Sequence, residues 1–154
     1  MLIGLLLSAV FLGQTWAKGL EASPAVFHWR VKTLGKLVKL PLPIKVTNHS
    51  RLRRTYQVSF RSAHEIGAKD EPGYKPIRRK EWLSASVSEF ILNPGQSGGP
   101  AIFALIPDQP ENYGGKWLVY LQIKERPPGG DQFALACYTK IYLDVLWKKT
   151  KNTR

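Results

Sequence analysis

The sequence predicts an all-β fold, an antiparallel β-sandwich preceded by a short apolar N-terminal helix. Three observations support this prediction. Beyond residue 25, short segments alternate apolar and polar residues, as at 56–60 and 117–123, which is typical of strands with one buried and one solvated face. Turn residues separate these segments, and no apolar repeat with the helical period of 3.6 residues is present. Residues 2–17 are uncharged and mostly apolar.

The N-terminal segment is too short to cross a membrane comfortably. Its sixteen residues would span about 24 Å as a helix, less than the ~30 Å of a bilayer core. That length is typical of a secretory signal, cleaved after Ala17 or Ala22, or of a retained short anchor. We divide the chain into a signal or anchor at 1–22, a sandwich at 23–147 and a basic tail at 148–154. The folded part is expected to be exported, periplasmic or otherwise extracytoplasmic, and anchored by residues 2–17 if these are retained.

The strands follow in order along the chain. Eight segments have the strand pattern: residues 26–31, 36–40, 44–48, 55–61, 81–92, 101–106, 116–124 and 133–146. Tight turns separate several of them, as at Pro94, which presets φ, and Gly95, which accepts a positive φ. Residues 62–80 form a long polar connection, and connections of that length often carry function. The side chains expected in the core or at its rim are Trp82, Trp117 and Tyr120.

Residues 44–123 resemble the pilus-chaperone-like branch of the immunoglobulin folds. The resemblance rests on five motifs: Val46-Thr-Asn48-His-Ser50, Glu81-Trp82-Leu83, Phe90-Ile-Leu-Asn-Pro94-Gly95-Gln96-Ser97, Ile106-Pro107 and Gly114-Gly-Lys-Trp117. It implies one immunoglobulin-like sandwich. Pilus chaperones carry a second sandwich, which we do not expect in 154 residues, and their basic pair that anchors a subunit has no assigned counterpart here. Folds of this type serve many functions, so the resemblance indicates fold more than activity.

The positive charge is concentrated in the first half of the chain. The formal net charge is +12; residues 18–80 contain fifteen basic and four acidic side chains, whereas residues 81–147 contain four basic and seven acidic ones. A basic surface that faces an acidic partner is one explanation, and a solvated surface that keeps the sheets soluble is the other. The expected partners are other envelope or membrane proteins, or an anionic lipid or glycan. Nucleic acid is not expected, because no motif for it is recognisable.

Three basic groups are candidate interaction sites. They comprise Arg51, Arg53 and Arg54; Arg78, Arg79 and Lys80; and Lys148, Lys149 and Lys151. Arginine dominates the first two groups, and its planar fork suits bidentate contacts with carboxylate or phosphate. We predict that at least one group docks against acidic groups of a partner or a membrane.

No catalytic site, metal site or cofactor is predicted. The histidines His28, His49 and His64 lack the spacing of a metal site. Ser97 lies in a glycine-rich turn that no helix follows, unlike the nucleophile of a hydrolase. Cys137 is the single cysteine and is interpreted as a small buried side chain.

The sequence therefore favours a non-catalytic, exported interaction subunit whose sandwich docks on a larger membrane or envelope protein complex. Two alternatives stay open. One is a periplasmic pilus-type chaperone that binds clients by β-strand addition. The other is a module that binds anionic glycan or lipid.

Overall fold

The computed structural model describes residues 19–41, 43–127, 129 and 134–147. The strands that these residues form are β1 (Leu20–Ser23), β2 (Val26–Val31), β3 (Val38–Lys39), β4 (Lys45–Asn48), β5 (Arg54–Arg61), β6 (Lys75–Pro76), β7 (Leu83–Ala85), β8 (Glu89–Leu92), β9 (Ser97–Gly98), β10 (Ile102–Ala104), β11 (Lys116–Arg126) and β12 (Ala136–Val145). Three 3₁₀ segments lie between them: His64–Ile66, Lys80–Trp82 and Pro110–Asn112. The all-β prediction is confirmed.

Both predicted ends of the chain lie outside the described residues. These are the helix at 2–17 and the tail at 148–154, the latter with Lys148, Lys149 and Lys151. Within the described ranges, no helix is long and apolar enough to span a membrane.

One layer of the sandwich contains β1, β3, β4, β7, β9 and β10. Strand β4 pairs antiparallel with β1 and β9, and β10 pairs antiparallel with β3 and β7. The Leu40 N–H extends the β3–β10 ladder by donating to the Ile102 carbonyl at 2.7 Å. Short segments of chain then join β3 to β4 and β9 to β10, which links the two three-stranded sheets. A Cβ at Gly99 would lie 2.1 Å from the carbonyl oxygen of Ile44, so only glycine allows the segments to approach this closely.

The other layer has the strand order β2–β12–β11–β5–β8, and β6 adds to the start of β11. Strands β12, β11, β5 and β8 pair antiparallel, whereas β2 runs parallel to β12. Strands β1 and β2 are consecutive in the chain but belong to different layers, so the chain crosses the edge of the sandwich between Ser23 and Val26.

The core lies between the two layers because each long strand turns alternate residues inward. On β11 these are Trp117, Val119, Leu121 and Ile123, all at most 3 % exposed. Burying one such side chain contributes roughly 1.5–3 kcal/mol. Trp82 packs edge-on against Trp117, with ring centroids 5.5 Å apart. The prediction that both tryptophans belong to the core or its rim is confirmed.

A second, smaller cluster lies on the outer face of the β2–β8 layer. Leu118 and Tyr120 of β11 are buried there together with Ala63. The polar connection 62–80 covers them and contributes Ile66 and Tyr74. The long predicted loop is therefore packed on the sheet. Its two-residue strand β6 runs parallel to β11.

The sandwich has two poles, named here for use below. At the arginine pole, β5 begins with Arg54 and β11 ends with Arg126, whose neighbour across the ladder is Thr55. At the opposite tail pole, β11 begins at Lys116 and β12 ends at Val145. The length of β11 separates the poles by roughly 34 Å at about 3.4 Å per residue.

Two predicted boundaries are corrected by the structure. The predicted strand 81–92 is two strands, since β7 pairs with β10 in one layer and β8 pairs with β5 in the other. The change of layer falls at 86–88, where the sequence has neither glycine nor proline. The sandwich also begins earlier than residue 23, because Leu20 of β1 is buried in the core.

Candidate protein-interaction surfaces

The arginine pole brings the first predicted basic group close to Arg126. Arg54 is the first residue of β5, and its Nε lies 3.0 Å from Oε1 of Glu125 on β11, with both side chains largely buried. Burial, followed by the nearby Glu125 carboxylate, raises the pKa of Tyr56 to about 12. Glu125 therefore balances the charge of Arg54 on the inner side of the sheet.

A concavity of about 300 Å³ opens beside this ion pair. Its lining residues are Arg53, Arg54, Thr55, Arg126, Pro127 and Gly129. Arg53 is exposed, and no ion pair joins it to another described residue. Arg126 makes only an exposed, 3.5 Å contact with Glu89, and such surface pairs contribute little. The concavity thus presents guanidinium groups to solvent.

The second predicted basic group lies toward the other end of the sheet and is partly engaged. Lys80 Nζ lies 2.7 Å from Oε1 of Glu65, and hydrogen bonds from Lys80 and Ser62 lower the pKa of Glu65 to about 2. Arg78 donates a long 3.5 Å hydrogen bond to Asn112. Arg78 and Arg79 remain exposed. The structure therefore does not bring the two basic trios together into one site.

The open edge of β12 is a surface that the sequence did not single out. In the antiparallel ladder with β11, the Glu125 N–H donates to Leu135 and the Val145 N–H donates to Gly115. Odd-numbered residues of β12 therefore turn their backbone groups to β11, and even-numbered ones turn theirs away from it. β2 covers that outer side only from Lys140 onward. No described strand pairs with the outward groups of Ala136 and Tyr138.

Strand β1 lies behind this open edge and closes it toward the core. Thr139 Oγ1 donates to the Pro24 carbonyl at 2.8 Å, and Cys137 Sγ lies 3.6 Å from the Leu20 carbonyl. In front, the Tyr138 hydroxyl accepts a 2.8 Å hydrogen bond from Gln122. The result is a step in the sheet, defined here as the unpaired backbone edge at Ala136 and Tyr138. Strand β1 forms its floor, and the ring of Tyr138 lies in front. A strand added there would be in line with β2.

Farther along β12, the outer face is already occupied by the connection 62–80. Tyr74 donates to Asp144 at 3.0 Å and packs edge-on against Tyr142, which also stacks on His28. Lys140 contacts Glu71 by hydrogen bond. The face of the sheet near the tail pole is therefore a packed surface, which leaves the step as the exposed part of β12.

The side chains of Ser97, His49 and Cys137 lie in structural surroundings. The Ser97 hydroxyl is hydrogen bonded to Thr47 at 2.8 Å, and His49 is 2.7 Å from Glu21. Burial raises the pKa of the half-buried Cys137 thiol, which opposes thiolate formation. Among the described residues, no group of three or more His, Cys, Asp and Glu side chains is placed to hold a metal ion.

The sequence matches no protein-family model and no curated protein. Its fold is similar to solved structures of low sequence identity. The periplasmic chaperone SfaE superposes with a TM-score of 0.54 at 16 % identity, over 82 % of this chain and 58 % of that one. The SafB chaperone, solved in complex with the SafA pilin of Salmonella enterica, gives 0.55 at 14 %, over 90 % and 59 %.

A human domain has the same fold. The ASH/PapD-like domain 7 of CEP192 superposes with a TM-score of 0.60 at 10 % identity, over 97 % of this chain and 99 % of that domain. This chain therefore has the pilus-chaperone-like immunoglobulin fold that its motifs indicate. It spans just under three-fifths of the length of the two chaperones and nearly all of the human domain. At such identities the likeness establishes the fold and leaves function to the surfaces.

Proposed function

We propose that this domain is a non-catalytic, exported protein-binding module that captures an extended segment of a client by β-strand addition at the step of β12. The observation that carries the proposal is the open backbone edge at Ala136 and Tyr138, just before the point where β2 begins to pair with β12. An unpaired edge offers main-chain donors and acceptors to any extended segment, whatever its sequence.

The surroundings of the step favour an extended segment with alternating side chains. Successive residues of an added strand would point alternately toward the floor made by β1 and toward Tyr138, since side chains alternate along a strand. Tyr138 is 39 % exposed, and its ring offers contact area at low entropic cost. A client with small or apolar residues at every second position fits this arrangement.

The similar structures support a chaperone-type role over the accessory-subunit hypothesis drawn from the sequence. SafB is a chaperone solved with a pilin, and strand addition is the binding mode that an open edge allows. Because this chain spans only part of such chaperones, the client is assigned here by chemistry alone, as an unfolded or extended protein segment. Export of the domain rests on the signal-like residues 2–17.

Site-specific photo-crosslinking in the native host tests this function. A photoreactive phenylalanine analogue at Tyr138 is expected to capture a discrete protein, because the position lies on the step. The matched control carries the analogue at Trp147, an aromatic residue that is 78 % exposed but lies at the far end of β12. Crosslinks that are equal at both positions, or absent from Tyr138, would refute strand addition at the step.

A further inference from the structure

The concavity at the arginine pole has the composition of an oxyanion site. Arg53, Arg54 and Arg126 line it together with Thr55. Guanidinium groups bind phosphate through parallel N–H donors, and a threonine hydroxyl adds a further donor. No lysine lines the concavity, so its recognition is directional as well as electrostatic.

The arginines at this pole outnumber the carboxylates of the protein that are close to them, so an external anion can bind there. Glu125 is engaged by Arg54 in a largely buried pair. Glu89 contacts Arg126 at 3.5 Å, where both side chains are more than a third exposed. Arg53 and neighbouring Arg51 are exposed. Two carboxylates thus face four arginines.

The path of the chain indicates where that anion comes from. Leu20 at the start of β1 pairs with Asn48, whose side chain hydrogen bonds to Leu92 at the arginine pole. A Cβ on Gly19 would lie 3.2 Å from Leu135, just before β12. The described chain therefore begins, at Gly19, at the pole that carries the arginine-lined concavity. In the sequence it is preceded by residues 2–17, which are uncharged and mostly apolar.

We propose that the arginine pole is a lipid-facing surface on which the exposed Arg53 and Arg126 bind the phosphate of an anionic phospholipid headgroup, while Arg54 stays paired with Glu125. Residues 2–17 bring this pole to a membrane during export, or hold it there if they are retained. The step of β12 lies near the same end of the sheet, since Ala136 pairs with Lys124, two residues before Arg126. The concavity is lined by other residues, so the proposal does not depend on the proposed client-binding function.

The second basic trio is the less suitable phosphate site. Lys80 is engaged by Glu65 at 2.7 Å, and Arg78 is hydrogen bonded to Asn112. None of these three residues lines the concavity at the arginine pole. Arg78 and Arg79 therefore provide a matched control of equal charge.

Vesicle binding of the full chain tests the proposal with two double variants. Arg53→Ala/Arg126→Ala removes the exposed arginines of the concavity, and Arg78→Ala/Arg79→Ala removes the control pair. Binding is measured to phosphatidylcholine vesicles with and without phosphatidylglycerol, which separates the headgroup contribution from insertion of residues 2–17. At about fivefold per basic residue, the first variant is expected to lose about thirtyfold of its phosphatidylglycerol-dependent binding. The control is expected to lose no more than about threefold.

Three outcomes would overturn the proposal. Equal losses in the two variants would mean that long-range attraction alone acts on the protein. Undiminished binding of Arg53→Lys/Arg126→Lys would exclude bidentate recognition. Binding of inorganic phosphate by the parent but not by Arg53→Ala/Arg126→Ala, with equal binding of both proteins to phosphatidylglycerol vesicles, would assign the concavity to free phosphate instead of a headgroup. Unchanged melting temperatures are expected throughout, since all four substituted arginines are exposed.

Discussion

At the scale of single residues, the contacts of Asn48 explain why the motif at 46–50 contains an asparagine. Its side chain is fully buried yet completely satisfied: Nδ2 donates to the carbonyls of Leu52 and Leu92, and Oδ1 accepts from the N–H and the hydroxyl of Ser50. One side chain thus fixes the β4–β5 turn and fastens it to the end of β8. The motif that suggested the fold is structural, and its meaning depends on contacts that are distant in sequence.

Replacing Asn48 by alanine is expected to lower the free energy of unfolding by about 2–4 kcal/mol, because buried partners would lose their hydrogen bonds. Chemical denaturation measures the loss. Thr47→Val is the control, since it breaks only the exposed hydrogen bond to Ser97 and should cost less than about 1 kcal/mol. Similar losses in the two variants would contradict this account of Asn48.

Two tryptophans of opposite exposure offer a second test. Trp117 is 3 % exposed and Trp147 is 78 % exposed. Trp117→Ala is expected to cost about 3–5 kcal/mol through the cavity it leaves, whereas Trp147→Ala should remain within about 1 kcal/mol of the parent. Thermal unfolding monitored by circular dichroism compares them. A melting temperature unchanged by Trp117→Ala would show that the core is placed wrongly.

At the scale of elements, the alternation of apolar and polar residues predicted well where strands lie. It did not predict which strands pair with one another. β2 has its predicted bounds, 26–31, and β11 begins at the predicted Lys116. Pairing was not predictable, because the same alternation suits an edge strand and a central strand. The break between β7 and β8 was not predicted. The chain changes from pairing with β10 to pairing with β5 between Ser86 and Ser88, and this change requires no glycine or proline. The step of β12 was missed for the same reason.

A proline at Ala136 tests the open edge directly. The Ala136 N–H points away from β11, so Ala136→Pro removes an outward donor while the β11 ladder stays intact. Crosslinking of the client captured at Tyr138 is expected to fall about tenfold, since both the hydrogen bond and close approach are lost. Ala136→Thr keeps the N–H and should retain binding. A client that tolerates the proline does not bind by strand addition.

The Glu65 carboxylate holds the connection 62–80 in place through hydrogen bonds with Lys80 and Ser62, and its pKa can be measured. Lys80 and Ser62 lower the pKa of Glu65 to about 2 from an ordinary value of 4.5. The attachment is therefore present above pH 4.5 and is lost as the pH falls toward about 2. The amide shift of Ser62, measured by NMR, is expected to titrate with a midpoint near 2 in the parent and nearer 4.5 in Lys80→Gln. Matching midpoints in the two proteins would exclude the Lys80 contact.

At the scale of the whole molecule, the charge asymmetry was readable from the sequence but its layout was not. The trios at Arg51 to Arg54 and at Arg78 to Lys80 are separated along the sheet, and Arg126, from the less basic half of the chain, completes the arginine-lined concavity. Antiparallel strands bring together residues that lie more than seventy positions apart, such as Arg54 and Glu125. The sequence alone predicted a basic surface. The concavity could be recognised only in the folded structure, because its residues come from distant parts of the chain.

The step of β12 also sets the valency of the domain. In the described part of β12, two outward residues, Ala136 and Tyr138, are open before β2 pairs from Lys140 onward. A single short strand is therefore expected to fill the step. The next exposed edge along that side, β2, presents His28 and Arg30 among its exposed side chains, and charged or polar edges discourage further stacking. Binding is therefore expected to stop at a one-to-one complex instead of growing into a fibre.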